Sequence, residues 1–344
     1  MKKVLNRLTQ YETLTEDESR NIIIEISEGK LNTSEISSFL TIFMIRNITI
    51  EELNGFRKAL IELSLKINLE EFDPIDLCGT GGDEKDTFNI STLASFVTAG
   101  TGVKVAKHGN YGVSSSCGSS NVLESLGLNF DNDSNKIKEA VDKANICFLH
   151  APLFHPAMKN VAPVRKELGL KTFFNMLGPM VNPTMPKKQI VGVYNLELAR
   201  IYNYLYQLTD INYNIIHSLD GYDEISLTGN TKVYSRKSEF ILESEDFNLK
   251  NINPVDIKGG IDIKSSAKIF MNVLNGDGSN DQENVVCANA SLAIAISKKI
   301  SILDAFEEAK ELAEASSIAF EEAKENAAVI YQEALEESSL QEEE

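Results

Sequence analysis

Five short apolar runs constrain this chain most: "PIDLC" (74–78), "VKVA" (103–106), "ICFLH" (146–150), "QIVGVY" (189–194) and "YNIIHSL" (213–219). They alternate with segments of helical periodicity. Parallel strands need a long crossover between them, and a helix is the usual one, so this alternation specifies an α/β domain with a mostly parallel central sheet. At 344 residues there is room for a second domain. Residues 1–70 supply it as a small all-α domain. Three capping boxes follow one another there, Thr15 with Glu18, Asn32 with Glu35 and Thr49 with Glu52. After Asn32, the residues Ile36, Phe39, Leu40, Phe43 and Met44 fall on one helical face, and Gly29 suits a helix end. "FFNMLGPMVNP" (173–183) and "PTMPKK" (183–188) interrupt the α/β pattern and read as a crossover back to the helical unit. The expected division is a helical domain over 1–70, joined by helices from about 161–185, and an α/β domain over 71–344.

The formal charge of −18 is concentrated at the carboxyl end, where residues 301–344 carry 14 Asp and Glu against 2 Lys. Residues 302–337 read as an amphipathic closing helix and "SSLQEEE" as a solvated terminus. This balance argues against a non-specific nucleic-acid binder, which needs clustered cations. No apolar run approaches the roughly 18 residues of a membrane span, and "MKKVLNRLTQ" lacks the apolar core of a signal peptide. The scattered Cys78, Cys117, Cys147 and Cys287 have no metal or redox spacing and read as free thiols of a cytoplasmic protein.

Four stretches carry chemistry. In "DLCGTGGDEKDTFNIST" (76–92) a strand runs into glycines and then a helix start. Backbone N–H groups freed of side chains form an anion-binding concavity, and the helix N-terminus adds donors, so the stretch suits a phosphate or else a tight structural turn. It is neither a GxxxxGK[ST] loop nor a GxGxxG fingerprint. "VKVAKHGNYGVSSSCGSSNVLESLG" (103–127) repeats the design, with Lys107 at a strand end, a Gly/Ser loop including Ser116, and Asn121 with Glu124 spaced as a helix cap. His108 alone reads as a packed histidine rather than a base, and the serines lack a triad partner. In "HSLDGYDEISL" (217–227) the adjacent Asp223 and Glu224 are a solvated turn or, beside phosphate loops, Mg²⁺ ligands. In "HPAMKNVAPVRKELG" (155–169) Arg165 is a surface ion pair or a planar fork for a carboxylate, and His155 fixes a turn.

Taken in order, "GTGGD", "NIST", "KHGN", "VSS..GS", "VRKELG", "FN.LGP..NP" and "DG.DE" resemble the anthranilate phosphoribosyltransferases, of the nucleoside phosphorylase-like phosphoribosyltransferase fold. The resemblance covers nearly the whole chain. It implies transfer of phosphoribosyl from phosphoribosyl pyrophosphate (PRPP) to the amine of anthranilate, with Mg²⁺ and no dedicated catalytic base. It implies PRPP contacts at Gly79, Gly82, Asp83, Thr87, Asn89, Ile90, Ser91 and Thr92, and at Lys107, His108, Gly109, Asn110, Tyr111, Gly112, Val113, Ser114, Ser115 and Ser119. Gly79, Asn110 and Arg165 would meet anthranilate, and Ser91, Asp223 and Glu224 the metal. A homodimer through the helical domain is implied too. Two departures stand out: Tyr111-Gly112 where the family commonly has Arg-Ser, and "GSSN" (118–121) in place of "GSAD". The nearest alternative is a pyrimidine nucleoside phosphorylase of the same general fold. A nucleic-acid-binding relative and a purely structural partner are the others.

Overall fold

Each helix of the amino-terminal segment starts where its capping box places it. In the computed structural model, which describes residues 1–112, 117–312 and 317–325, the helices Glu16–Ser27, Thr33–Ile45 and Ile50–Glu62 follow Thr15, Asn32 and Thr49, and all three boxes close reciprocally. Each such cap is worth about 1 kcal/mol. Gly29 ends the first of these helices at φ +71°, a conformation glycine adopts without a Cβ penalty. The helical unit comprises Met1–Ile67 and Ala151–Met185. Its core is aromatic: Phe173 stacks on Phe56 at 4.4 Å between ring centroids and meets Phe39 and Phe43 edge-on. Glu52 is fully buried beneath these helices. It accepts from Leu14 N and Thr49 N, each at 2.9 Å, and pairs with Arg46.

The α/β unit comprises Asn68–His150 and the chain from Pro186 onward. All five expected strands form: β1 (Ile75–Gly79), β2 (Val105–Gly109), β3 (Ile146–His150), β4 (Lys188–Gly192) and β5 (Asn212–Ser218). They are parallel. An antiparallel hairpin that the sequence did not announce, β6 (Thr231–Ser235) and β7 (Glu239–Leu242), extends the sheet. The order is β3-β2-β1-β4-β5-β6-β7. Successive strands therefore step one way from β1 and the other way from β4. Between those two lies the switch point, where open α/β sheets bind ligands at the carboxyl ends of the strands.

Alternate strand residues face opposite sides, as the pleat requires. Ile75, Leu77, Ile190 and Ile216 join the large core with the helices Ile90–Gly100 and Asn280–Lys298. Asp76, Gln189 and Tyr213 face the other way. There Gln189 donates to Asp76 at 3.0 Å and accepts from Tyr206 of the helix Leu196–Gln207 at 2.6 Å. The carboxyl end is helical over Ile302–Glu311 and 317–325, and the rest of the expected closing helix and the acidic terminus lie outside the described residues. Among the described residues no single helix is long and apolar enough to cross a membrane.

Glu52→Ala should lower the unfolding free energy by roughly 3–5 kcal/mol, because it strands the Arg46 charge and two buried N–H groups. Urea denaturation measures the loss, and a change under about 1 kcal/mol would mean that the pair does not order the unit.

Candidate functional site

The glycine loop leaves β1 in a conformation that few side chains tolerate. Gly81 and Gly82 have φ of +62° and +86°, and Glu84 and Asp86 are also left-handed. Thr80 N donates to Gly192 O at 2.9 Å, which ties the loop to the end of β4. Gly81 N donates to Asp223 Oδ2 at 2.8 Å. The loop then runs into the helix Ile90–Gly100. Thr87 bridges to Lys258, and Gly259 N donates to Asp86 O at 2.7 Å. The side-chain donors expected at the helix start are partly committed elsewhere. Asn89 makes no cap and gives its amide to Cys117 O at 3.1 Å. Ile90 and Thr92 are buried.

Asp223 reaches the switch point because nothing stands in its way. A Cβ on Gly79 would lie 2.8 Å from Asp223 Oδ2, and one on Gly192 would lie 1.6 Å from Asp223 O. Gly192 is the residue the sequence reading missed. Its signal was a glycine inside the strand-like "QIVGVY", which marks a close backbone approach. Glu224 accepts hydrogen bonds from both the hydroxyl and the N–H of Ser91, so the three residues read as a metal site do come together. Asp83 bonds the same group through Asp223, while its buried Oδ2 has no partner among the described residues. Burial, then the neighbouring carboxylates, hold the Asp223 carboxyl well above its usual range. Burial also raises Glu224 to about 7, against the opposing pull of Lys107. Lys107 is not at the strand end: it is buried within β2, burial lowers its pKa, and its ammonium donates to Leu77 O at 2.6 Å.

The second loop has a pinched neck. Its described ends are Gly109–Gly112 and Cys117–Ser120; Val113, Ser114, Ser115 and Ser116 lie outside the described residues. Ser120 N and Ser119 Oγ both donate to Asn110 O, at 3.2 and 3.3 Å. A Cβ on Gly118 would lie 2.1 Å from Gly112 N. Asn121 is not the helix cap expected. The helix Ser119–Ser125 begins earlier, behind Gly118. Asn121 Oδ1 accepts from Gly112 N at 2.9 Å and from Gly118 N at 3.0 Å, closing the neck instead. Tyr111 packs edge-on against His150, with 4.7 Å between ring centroids. His108 is buried, and its backbone N–H donates to Asp76 Oδ1 at 3.2 Å.

In the helical unit, Arg165 lies on the helix Ala162–Leu168 and makes no ion pair among the described residues. It donates to Asn175 Oδ1 at 3.1 Å and stands 5.5 Å over the Phe174 ring. Its buried Nε has no hydrogen-bond partner among the described residues, and burial without a counter-charge lowers its pKa. A buried guanidinium in this state can take an anion as a partner. His155 is packed against the backbone of Leu60 and Val181 and pushed down to about 4, which keeps it neutral.

Residues 71–335 match the model described as "Glycosyl transferase family, a/b domain", and residues 2–64 match "Glycosyl transferase family, helical bundle domain". The chain is 62% identical over 311 residues to the anthranilate phosphoribosyltransferase of Flavobacterium psychrophilum, covering 90% of this chain and 94% of that one. The enzyme of the same name from Christiangramia forsetii gives the same identity and coverage. Among solved structures, anthranilate phosphoribosyltransferase from Thermus thermophilus is 29% identical with a TM-score of 0.86, covering 94% of this chain and 98% of that one. The Saccharomyces cerevisiae enzyme in complex with PRPP and Mg is 26% identical with a TM-score of 0.87, covering 94% and 97%.

The buried acids make stability pH-dependent. Glu224 titrates near 7 in the folded chain and near 4.5 when unfolded, so the folded state holds more protons between those values. Stability should therefore fall as pH rises through that window. Without divalent cations, the melting temperature of wild type should drop more steeply from pH 5 to 7.5 than that of Glu224→Gln. Parallel curves would mean that Glu224 does not ionise at a cost.

Proposed function

The chain belongs to the anthranilate phosphoribosyltransferases, and on that premise we propose how its residues divide the work. The reaction moves the phosphoribosyl group of PRPP to the amine of anthranilate, giving N-(5-phosphoribosyl)anthranilate and pyrophosphate, the second step of tryptophan synthesis from chorismate. The observation that carries the assignment is the meeting of Asp83, Asp223, Glu224 and Ser91 at the sheet's switch point.

PRPP is bound by the loop of Gly79, Gly82, Asp83 and Thr87, by Asn89–Thr92, and by the neck from Lys107 to Gly112 with Ser119. Val113, Ser114 and Ser115 belong to the same assignment. The backbone N–H groups of these loops neutralise charge that develops on the leaving pyrophosphate. Buried acids that repel one another, with an Asp83 oxygen that has no partner among the described residues, fit a hard divalent cation. Mg²⁺ would be held by Asp223, Glu224 and Ser91, and when bound it supplies positive charge beside the pyrophosphate. Lys107 partly offsets the raised proton affinity of Glu224.

Anthranilate's amine is neutral at pH 7 and already nucleophilic, so positioning does the work of a base. Arg165 is assigned to the anthranilate carboxylate, and Gly79 and Asn110 to the same substrate; the support for Arg165 is a buried guanidinium that makes no ion pair among the described residues. The helical unit carries a homodimer interface in this reading, supported by Ile45, 73% exposed on the helix Thr33–Ile45. Four free, buried cysteines suit a cytoplasmic setting.

Asp223→Asn combined with Glu224→Gln should cut Mg²⁺-dependent PRPP turnover by roughly 10³-fold, followed by loss of anthranilate fluorescence. Near-normal turnover would remove the metal assignment. Arg165→Ala should raise the KM for anthranilate roughly 10- to 100-fold, the cost of a charged hydrogen-bonded pair. The KM for PRPP should move far less, and equal changes in both would take Arg165 out of the anthranilate contacts.

A further inference from the structure

Asp223 and Glu224 stand on a loop between β5 and β6, and a loop holds carboxylates accurately only if its backbone is fixed from outside. Two side chains do this without touching either carboxylate. Asn289 is 3% exposed on the helix Asn280–Lys298. Its Oδ1 accepts from Ile225 N at 2.9 Å, and its Nδ2 donates to Ile225 O at 2.9 Å and to Val285 O at 2.8 Å. The amide thus engages both backbone groups of the residue after Glu224, as a neighbouring strand would. Its own helix is otherwise packed there with Val285, Val286, Ala290 and Leu292. A primary amide in such a place costs free energy unless fully bonded, and here its bonding goes largely to one loop residue. Ser218, fully buried at the end of β5, donates to Glu224 O at 2.6 Å and lies 2.8 Å from Thr231 Oγ1.

We propose that Asn289 and Ser218 are positioning residues for the acid pair, holding the Glu224–Ile225 peptide group by its carbonyl and its N–H, and the Ile225 carbonyl beyond it, so that the carboxylates project toward Gly81 and Ser91. The proposal rests on the reading of Asp223 and Glu224 as metal ligands. It deepens that reading by naming what sets their direction.

The test compares wild type, Asn289→Ala, Ser218→Ala and the double variant Asp223→Asn with Glu224→Gln. Mn²⁺ with PRPP is the probe, with free Mn²⁺ read by electron paramagnetic resonance in the absence of anthranilate. Melting temperatures establish that each variant is folded. Asn289→Ala and Ser218→Ala should each weaken Mn²⁺–PRPP binding roughly 10- to 100-fold, the usual cost of losing a group that orients metal ligands. In steady state the KM for PRPP should rise while that for anthranilate stays near the wild-type value, a split that general loosening would not produce. If Asn289→Ala does not fold, Ser218→Ala decides, since it removes one hydroxyl and leaves the helix intact. Folded variants with wild-type Mn²⁺–PRPP affinity overturn the proposal. If they keep binding while the double variant loses it, only the positioning role falls. If the double variant also keeps binding, the ligand assignment falls, and this inference with it.

Discussion

One hydrogen bond organises the α/β unit: the Gly81 N–H on the Asp223 carboxylate. It joins the loop after β1 to the loop after β5 across the end of β4. That span exists only because Gly79 and Gly192 carry no Cβ where Asp223 passes. The strand order then puts this crossing at the one place in the sheet where neighbouring connections diverge. The helix Ile90–Gly100 brings Ser91 to Glu224, and the remaining groups of the site follow from these constraints.

The site is held in electrostatic tension. Two buried carboxylates lie beside the half-buried Asp83, and the nearby Lys107 ammonium is itself committed to a carbonyl. The raised proton affinities of Asp223 and Glu224 express that imbalance. Arg165 in the helical unit carries the opposite imbalance, a buried positive charge with no counter-ion among the described residues. In the proposed reading the first imbalance is met by a metal ion and the second by the anthranilate carboxylate. The net charge of −18 plays no part in this, since much of it lies in the acidic carboxyl end.

Local rules were legible where local interactions decide. Capping boxes at Thr15, Asn32 and Thr49 announced three helix starts, because a cap needs only its own four residues. The parallel strands were readable from apolar runs, since strands buried on both faces lose their polar alternation. The hairpin of β6 and β7 was missed because "TKVYSRKSEFIL" is polar and exposed on one side. Asn121 misled for a related reason. Its spacing to Glu124 fits a cap, but a loop neck nine residues away claimed its carbonyl oxygen.

By itself the sequence determined the α/β alternation, the glycine turns and the set of acids and hydroxyls that form the site, because these depend on residue type and short spacing. Only the tertiary structure decided where each group's hydrogen bonds go. It turned Asn89 toward Cys117, Lys107 toward Leu77, Asn121 across the neck and Asn289 onto Ile225. A buried polar group must find a partner wherever the folded chain supplies one, and that partner can lie 64 residues away, as it does for Asn289.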